Sequence, residues 1–359
     1  MKITGLRTML VDLPGTTWIV SPDIRSFGCV LLFLDTDEGI TGESFMWIFG
    51  TARLDMLERL VLGLKADLLG EDPLYTGRIW QKVWSSLRFF GDQGISVFAA
   101  SAIDRACWDA SAKAAGLPLY KLLGACREEV PAYASGLWLN LTVEGLTKEA
   151  SAYVAEGFRA MKMRTGKPRI EEDFARVRAV REAIGPDVEL MVDANQHFTA
   201  DHAIRLGRKL EELNITWFEE PVPSYDFAGS AQVAAALEVP VASGENTYTR
   251  YGFRDMLKAG AADIWMPDMV SAGGITEVMK IAHMAESHDI PISPHIFAEE
   301  SMHVVAAVQN ATYVERIDWF RDLYEQKIEM KDGKVVLPDR PGFGFTFSRE
   351  AMERYRVDR

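Results

Sequence analysis

The sequence has little cysteine and a deficit of positive charge. Its three cysteines, Cys29, Cys107 and Cys126, are odd in number and follow no disulfide or metal-binding spacing. A disulfide framework is therefore excluded, and buried free thiols in a reducing compartment are expected. The formal net charge of -13 argues against nucleic acids and anionic membrane surfaces as partners. An anionic substrate would also be repelled, unless positive charge is concentrated at its binding site.

Long apolar runs are missing as well. No uninterrupted apolar stretch is long enough to span a membrane, and the opening residues MKITGLRTMLVDLPG lack the apolar core of a signal peptide. We therefore expect a cytoplasmic protein without a membrane partner. The 359 residues are enough for one large barrel and a smaller domain.

The first third of the chain is typical of an α+β domain. The segments KITGLRTMLVDL and CVLLFLDTDEG predict two strands, and residues 95–116 predict a long helix that ends at Gly116, shortly before Pro118. A block of strands followed by helices predicts a self-contained α+β domain over residues 1–125.

From about residue 130 the pattern alternates between short apolar runs and helical segments. Eight runs are candidates for strands: AYASGLWL, RAMKMR, ELMVDAN, ITWFEE, PVASGE, DIWMPD, IPISPH and TYVERI. Eight βα units predict an α/β fold of the (β/α)8 TIM-barrel type over residues 126–330. The tail, residues 331–359, breaks the alternation, and we expect it to return to the first domain.

Ionisable residues end the predicted barrel strands from the second to the eighth, although the strand interiors are apolar. In a barrel of this type the chemistry lies at the C-terminal ends of the strands. The residues at these ends, in chain order, are Lys162 with Arg164, Asp193 with Asn195, Glu219, Glu245, Asp268, His295 and Glu315.

Asp193, Glu219 and Glu245 are equally spaced, about one βα unit apart, so they would converge on one point. Three carboxylates that close would repel one another, and a hard divalent cation would relieve the repulsion. Oxygen ligands with room for water suit Mg²⁺. The alternative is three acids that are solvated or paired independently.

Asp268 and His295 end neighbouring strands. A carboxylate that accepts a hydrogen bond from one imidazole nitrogen leaves the other nitrogen free to act as a base. The alternative is a structural histidine, which is what we expect of His303, packed inside a helix.

The motifs VDAN, WFEEP, SGEN, MPD, SPH and VERID, taken together with their spacing, resemble the mandelate racemase subgroup of the enolase superfamily over nearly the whole chain. The resemblance implies a modified (β/α)8 barrel with an α+β capping domain that includes the C-terminal segment. It implies that Asp193, Glu219 and Glu245 hold Mg²⁺ and that His295, oriented by Asp268, is the acid/base for a substrate with R configuration at its α-carbon. It also implies that Lys162 contacts the substrate carboxylate and that Glu315 donates a hydrogen bond to it. Glu315 would have to be protonated, and we expect the nearby metal-bound carboxylates to raise its pKa.

One position departs from the subgroup, which usually carries Lys-X-Lys on the second strand, where this chain has Lys162-Met163-Arg164. A guanidinium is effectively never deprotonated, so Arg164 is a poor base and His295 is left as the one good base. A racemase needs a base on each face of the substrate, whereas a dehydratase needs only one. This favours dehydration of an acid sugar, an aldonate or aldarate, to a 2-keto-3-deoxy acid. For Arg164 itself, the alternative is a salt bridge to a barrel acid without substrate contact.

Two other functions stay open. One is an isomerase of the same superfamily, either an epimerase or racemase, or a cycloisomerase acting on a sugar lactone or anhydro-acid. The other is a non-catalytic barrel that binds metal. A homo-oligomer is expected in each case.

In the family that the chain resembles, loops of the cap determine the substrate specificity. Two candidate loops are residues 16–28 and 43–50. Within them Arg25 would pair with a distal carboxylate, and Trp18, Phe27 and Trp47 would shield the pocket. Asn195 and Trp319, which follow barrel strands, are further candidates for substrate contact.

Overall fold

An antiparallel sheet of three strands forms the N-terminal part of the computed structural model, which describes residues 1–15 and 25–357. The strands are β1 (Ile3–Pro14), β2 (Ser26–Thr36) and β3 (Thr41–Phe49), in that order across the sheet. The prediction of β1 and β2 is confirmed. Residues 43–50 were expected to form a loop, and this was wrong, because a turn at Gly39 (φ 75°) returns the chain to pair with β2.

Five helices follow the sheet: α1 (Leu54–Gly63), α2 (Lys65–Leu68), α3 (Thr76–Ser86), α4 (Ile95–Ala115) and α5 (Leu119–Leu122). The predicted long helix is α4, and it ends at Gly116 in the left-handed conformation (φ 66°), which glycine adopts without steric cost. Most of α4 is buried, because it lies between the sheet and the barrel.

Eight parallel positions close the barrel that follows. Six strands pair in chain order: β4 (Glu129–Ser135), β5 (Ala160–Arg164), β6 (Glu189–Asp193), β7 (Phe218–Glu219), β8 (Val241–Ser243) and β9 (Ile264–Trp265). Ile292 occupies the seventh position through single bridges to Trp265 and Ala311, and β10 (Val314–Arg316) pairs with β4. The predicted barrel is therefore confirmed, with a seventh strand reduced to isolated bridges.

Seven helices connect the barrel strands: α6 (Val143–Ala155), α7 (Ile170–Ile184), α8 (Ala200–Leu210), α9 (Phe227–Ala236), α10 (Thr249–Ala259), α11 (Ile275–Glu286) and α12 (Ala298–Ala307). Apolar faces of α6 to α9 pack on the outer faces of β4 to β8. Inside the barrel, Tyr133 and Trp217 meet edge to face, with ring centroids 5.5 Å apart. These aromatic rings fill the interior below the strand ends.

The C-terminal segment first contacts the barrel and then the cap. Strand β11 (Met330–Lys331) pairs with β12 (Lys334–Val336), and β12 pairs with β4. After that the backbone N–H of Phe343 donates to Asp109 of α4 (3.0 Å). Helix α13 (Arg349–Arg354) leads to Val357, whose N–H donates to the carbonyl of Leu10 on β1 (3.0 Å). The cap therefore includes the C-terminal segment up to Val357, while the domain boundaries at 125 and 330 stay a prediction.

Cys29 and Cys107 are buried free thiols, as expected, whereas Cys126 is exposed. Cys126 was misjudged because it lies in the connection between cap and barrel rather than in a strand or helix. None of the helices within the described ranges is both long and apolar enough to cross a membrane.

Candidate active site

The ends of β5, β6 and β7 lie side by side. Arg164 is the register partner of Asp193, and Asp193 is the register partner of Glu219. Because parallel strands in register bring their ends to one edge of the barrel, these side chains meet there. Asp193, Glu219 and Lys162 are each fully buried, so their charges depend on one another rather than on solvent.

Lys162 is at the centre of this group. Its Nζ atom lies 2.6 Å from Glu219, 3.0 Å from Glu315 and 3.8 Å from Asp193, and it stands 5.2 Å from the ring centroid of Tyr133. Burial lowers the pKa of Lys162, but Glu219 and Glu315 outweigh it, and the pKa is raised overall. The ammonium group is therefore charged and is a source of positive potential at the strand ends.

Arg164 contacts both a barrel acid and the cavity. Its Nη1 atom lies 2.6 Å from Asp193 Oδ2, and its guanidinium carbon lies 5.0 Å from the ring centroid of Trp138. Burial lowers the pKa of Arg164, and Asp193 and Glu315 raise it above its ordinary value. Its Nε–H has no hydrogen-bond partner among the described residues, although the side chain lines the cavity. Arg164 thus makes the salt bridge to a barrel acid that was one of the two alternatives, and its contact with a substrate stays a prediction.

Burial and neighbouring acids raise the pKa of Glu219 and the pKa of Glu245. Burial raises the pKa of Glu219, Lys162 lowers it, and Asp193 and Glu315 raise it again, to about 8. Burial likewise raises the pKa of Glu245, and His295 lowers it only in part. Positive charge at this point would lower the free energy of both acids in their ionised form.

The donor set of Asp193, Glu219 and Glu245 fits a magnesium ion by its chemistry, since all three are oxygen ligands at consecutive strand ends. Across residues 1–15 and 25–357, however, no group of three His, Cys, Asp or Glu side chains is arranged as a ready metal site. Each acid is held instead by a cationic or donor side chain of the protein: Asp193 by Arg164, Glu219 by Lys162 and Glu245 by His295. The ligand roles of the three acids therefore stay a prediction.

His295 and Asp268 form the expected pair. The residues are bridged as neighbouring strand positions, and His295 Nδ1 lies 2.9 Å from Asp268 Oδ2. The second oxygen of Asp268 accepts hydrogen bonds from the N–H groups of Val270 (2.7 Å) and Ser271 (2.8 Å). These bonds fix the carboxylate, so His295 Nδ1 is held in place and Nε2 faces Glu245 at 3.1 Å.

The pKa of Glu315 is shifted in the direction opposite to the one expected. Burial raises the pKa of Glu315, but Lys162, His295 and Arg164 outweigh it and hold the pKa well below its ordinary value. The carboxylate accepts a hydrogen bond from the N–H of Ile296 (3.0 Å). The sequence reasoning counted the neighbouring acids and did not foresee that Lys162 would lie in contact with Glu315.

A cavity of about 470 Å³ opens over these strand ends. The barrel contributes Trp138, Arg164, Asn195, Gln196, Glu245, Asn246, Asp268, Val270, Ser271, His295 and Trp319, and the cap contributes Trp47, Ile48, Phe49, Arg53 and Phe98. The lining therefore joins charged strand ends to a mostly apolar roof, an arrangement typical of a ligand site.

Three of the five candidate substrate contacts line this cavity: Trp47, Asn195 and Trp319. Phe27 is buried behind them and stacks on Trp319, with centroids 4.9 Å apart. Arg25 is exposed and is not among the lining residues, and Trp18 lies outside the described residues. The binding roles of all five stay a prediction.

Arg53, Gln196 and Asn246 line the cavity but were missed from the sequence. Gln196 and Asn246 directly follow the predicted strand-end residues Asn195 and Glu245, so that adjacency was an available signal. Gln196 lies in the left-handed region (φ 64°), an uncommon conformation for a residue other than glycine that often marks a functional turn. Arg53 lies far from every motif in the sequence, and only the docking of the cap on the barrel reveals it.

Two family descriptions match the chain. The description "Mandelate racemase / muconate lactonizing enzyme, N-terminal domain" matches residues 21–124, and "Enolase C-terminal domain-like" matches residues 145–351. Together they cover most of the cap and most of the barrel.

Similar proteins include a dehydratase and a cycloisomerase. The L-talarate/galactarate dehydratase of Salmonella typhimurium is 40% identical over 79% of this chain and 72% of its own length. The D-galactarolactone cycloisomerase of Agrobacterium fabrum is 36% identical over 99% of both chains. Among solved structures, the L-talarate dehydratase of Polaromonas, complexed with Mg and L-glucarate, matches with a TM-score of 0.93 and 33% identity, covering 99% of this chain and 98% of that one.

Proposed function

We propose that this chain, which belongs to the mandelate racemase and muconate lactonizing enzyme family of the enolase superfamily, dehydrates an acid sugar to a 2-keto-3-deoxy acid. The observation that carries the proposal is the pairing of His295 with Asp268 (2.9 Å) in a cavity that also contains Arg164. An imidazole can take up and return a proton, whereas a guanidinium is effectively never deprotonated. A single base suits a reaction that removes and returns a proton on one side of the substrate.

We infer that Asp193, Glu219 and Glu245 hold Mg²⁺. Their oxygen donors, their burial and the raised pKa values of Glu219 and Glu245 support this, as does the magnesium in the solved relative from Polaromonas. When bound, the ion would supply Lewis-acid stabilisation of the negative charge that develops on the substrate carboxylate.

Lys162 and Arg164 provide the positive charge that the rest of the chain lacks. Abstraction of a proton next to a carboxylate creates a second negative charge on an anion, and preorganised cationic donors lower the energy of that enediolate. Arg164 lines the cavity, and its buried Nε–H has no partner among the described residues, which supports a contact with a substrate oxygen. Glu315 acts through Lys162 and the backbone of Ile296, and we assign it the role of positioning them.

His295 carries the proton in both half-reactions. It takes the α-proton, the enediolate expels the β-hydroxyl, and His295 returns the proton to that hydroxyl, which leaves as water; the resulting enol tautomerises to the ketone. Burial lowers the pKa of His295, but Glu245, Asp268 and Glu315 raise it, to about 10. Glu245 makes the largest raising contribution, so neutralising its charge would bring His295 towards the range of a working base.

A cycloisomerase is the second candidate. The relative from Agrobacterium fabrum, a D-galactarolactone cycloisomerase, supports it, and Arg164 is compatible with it because opening a lactone also needs one good base. A non-catalytic barrel would not account for the pairing of His295 with Asp268 or for the cavity that they line.

We also propose a cytoplasmic homo-oligomer that binds neither nucleic acid nor membranes. The net charge of -13 supports the absence of nucleic acid. Phe89 and Phe90 on the cap are 98% and 73% exposed, and a neighbouring subunit would cover them.

The test is a screen of aldonates, aldarates and their lactones with Mg²⁺. A 2-keto-3-deoxy product, detected by NMR, is the expected result. Ring-opened or epimerised products would favour the isomerase, and the absence of turnover and of α-proton exchange with every compound would favour the non-catalytic barrel.

A further inference from the structure

We propose that Arg53 forms a second carboxylate subsite at the cap end of the cavity, and hence that the substrate is an aldarate, a sugar acid with a carboxylate at each end. This rests on the proposed function, since it assumes that one carboxylate lies at the barrel end. It goes further by naming which residue recognises the other end of the substrate.

The first observation is the division of the cavity lining by charge. The barrel end contains the ionisable groups of Arg164, Glu245, Asp268 and His295. At the cap end the described lining residues are Trp47, Ile48, Phe49 and Phe98, which are apolar, together with Arg53. Among them Arg53 is the one charged side chain, so it is the one cation that the described cap residues contribute to the cavity.

The second observation is that Arg53 makes no ion pair or side-chain hydrogen bond with any described residue. Three other cap arginines are paired: Arg7 with Asp35 (2.6 Å), Arg78 with Glu71 (2.9 Å) and Arg105 with Glu300 (2.8 Å). Arg53 is exposed, but it lines the cavity, and the other cap residues of the lining carry no carboxylate that could pair with its guanidinium.

The backbone that carries Arg53 is well anchored. Its carbonyl accepts a hydrogen bond from the N–H of Met56 (3.2 Å) in the first turn of α1, and its neighbour Leu54 is 1% exposed. The planar guanidinium of Arg53 is thus attached to an anchored backbone. Such a group can bind a carboxylate through two parallel hydrogen bonds.

Electrostatics explain why the second carboxylate needs its own cation. Lys162 and Arg164 are already paired with Glu219 and Asp193, and the chain as a whole carries a charge of -13. A dianion would therefore be repelled from the cavity mouth unless positive charge stood there. Arg53 is the residue of the described cap lining that can supply this charge.

The experiment compares aldarates with aldonates of the same chain length and configuration, using the full-length protein with Mg²⁺. The wild type should turn over the aldarate with the higher kcat/KM. Arg53→Met should lower kcat/KM for the aldarate by about 10²-fold, mainly through KM, and should change the aldonate value by less than about threefold. Arg53→Lys keeps the charge but loses the planar guanidinium, so its kcat/KM for the aldarate should lie between the values of the wild type and Arg53→Met.

Arg59→Met is the matched control, since Arg59 is exposed on the same helix and does not line the cavity; its kinetics should equal those of the wild type. Equal losses on both substrate classes in Arg53→Met, or a wild-type preference for aldonates, would overturn the inference. Loss of the aldarate preference in Arg25→Met instead would move the subsite to Arg25. The proposed function fails separately, if neither class exchanges its α-proton in D2O.

Discussion

The imidazole of His295 links two carboxylates, with Nδ1 2.9 Å from Asp268 and Nε2 3.1 Å from Glu245. The first contact orients the ring, because Asp268 is itself held by two backbone N–H groups. The second contact occupies the nitrogen that would have to take a proton. The same histidine thus responds to the charge on a proposed magnesium ligand, which couples the metal site to the acid/base.

Replacement of His295 by Asn should abolish turnover. We expect a loss of roughly 10²–10⁴-fold in kcat, the usual contribution of a general acid/base, together with loss of α-proton exchange in D2O followed by NMR. Asn keeps a polar group of similar size next to Asp268, so thermal stability should change little. Exchange that persists in His295→Asn would contradict the proposal and would reveal a second base.

Replacement of Arg164 by Lys should provide a second base, on the face of the substrate opposite His295. A lysine at this position can lose its proton, whereas the guanidinium cannot. We expect Arg164→Lys to exchange the α-proton by a route that does not need His295, and to accumulate some substrate epimerised at that carbon. NMR of Arg164→Lys, alone and combined with His295→Asn, would measure both effects. A control, Arg164→Met, should show neither.

The sequence predicted the barrel and the residues at its strand ends, because both depend on local patterns. Apolar runs alternate with helical segments, which predicts the barrel. Parallel strands in register then bring Asp193, Glu219 and their neighbours together, and this does not depend on the conformation of the loops. His303 was likewise expected to be a packed helix residue, and it is fully buried in α12.

Features that depend on how distant segments dock could not be predicted. Arg53 reaches the cavity only because the cap packs over the barrel. The low pKa of Glu315 depends on a 3.0 Å contact with Lys162, and no spacing in the sequence encodes that distance. Strand β3 was mistaken for a loop because its apolar residues do not alternate: Phe45 and Met46 are both buried, one against the barrel and one inside the cap.

A buried ion pair between Arg105 of α4 and Glu300 of α12 (2.8 Å) joins the cap to the helix that follows His295. Arg105 is fully buried and also donates to the carbonyl of Phe45 and to Ser101 (3.2 Å). Removing one partner leaves the other charge unpaired in the interior. We therefore expect Arg105→Met to lower the free energy of unfolding by about 3–5 kcal/mol, measured by urea denaturation.

The double replacement Arg105→Met with Glu300→Leu is the matched control for this pair. It removes both charges, so it should recover part of the stability that the single replacement loses. The contrary result is that the two single replacements lower the free energy of unfolding independently, so that their losses add in the double variant. The loss in Arg105→Met would then come from packing rather than from an unpaired charge.

The stability of the protein should fall in mild acid because His303 is buried in its neutral form. Its Nδ1 accepts a hydrogen bond from the N–H of Tyr120 (3.1 Å), and its Nε2 lies 2.9 Å from the carbonyl of Phe343. Burial lowers the pKa of His303 from 6.5 to about 4. Between these two values the unfolded chain binds a proton that the folded chain does not, so stability decreases as the pH falls through this window. The loss due to His303 should approach roughly 3 kcal/mol near pH 4.

Urea denaturation of the wild type and His303→Gln, from pH 8 to pH 4, measures this contribution. His303→Gln should be less stable at pH 8, because it disturbs two buried hydrogen bonds, but its stability should depend less steeply on pH below 6.5. His288→Gln, at an exposed position, should keep the wild-type slope. Since the acids titrate alike in all three proteins, only the difference in slope reports on His303, and equal slopes in His303→Gln and the wild type would show that His303 does not resist protonation in the folded state.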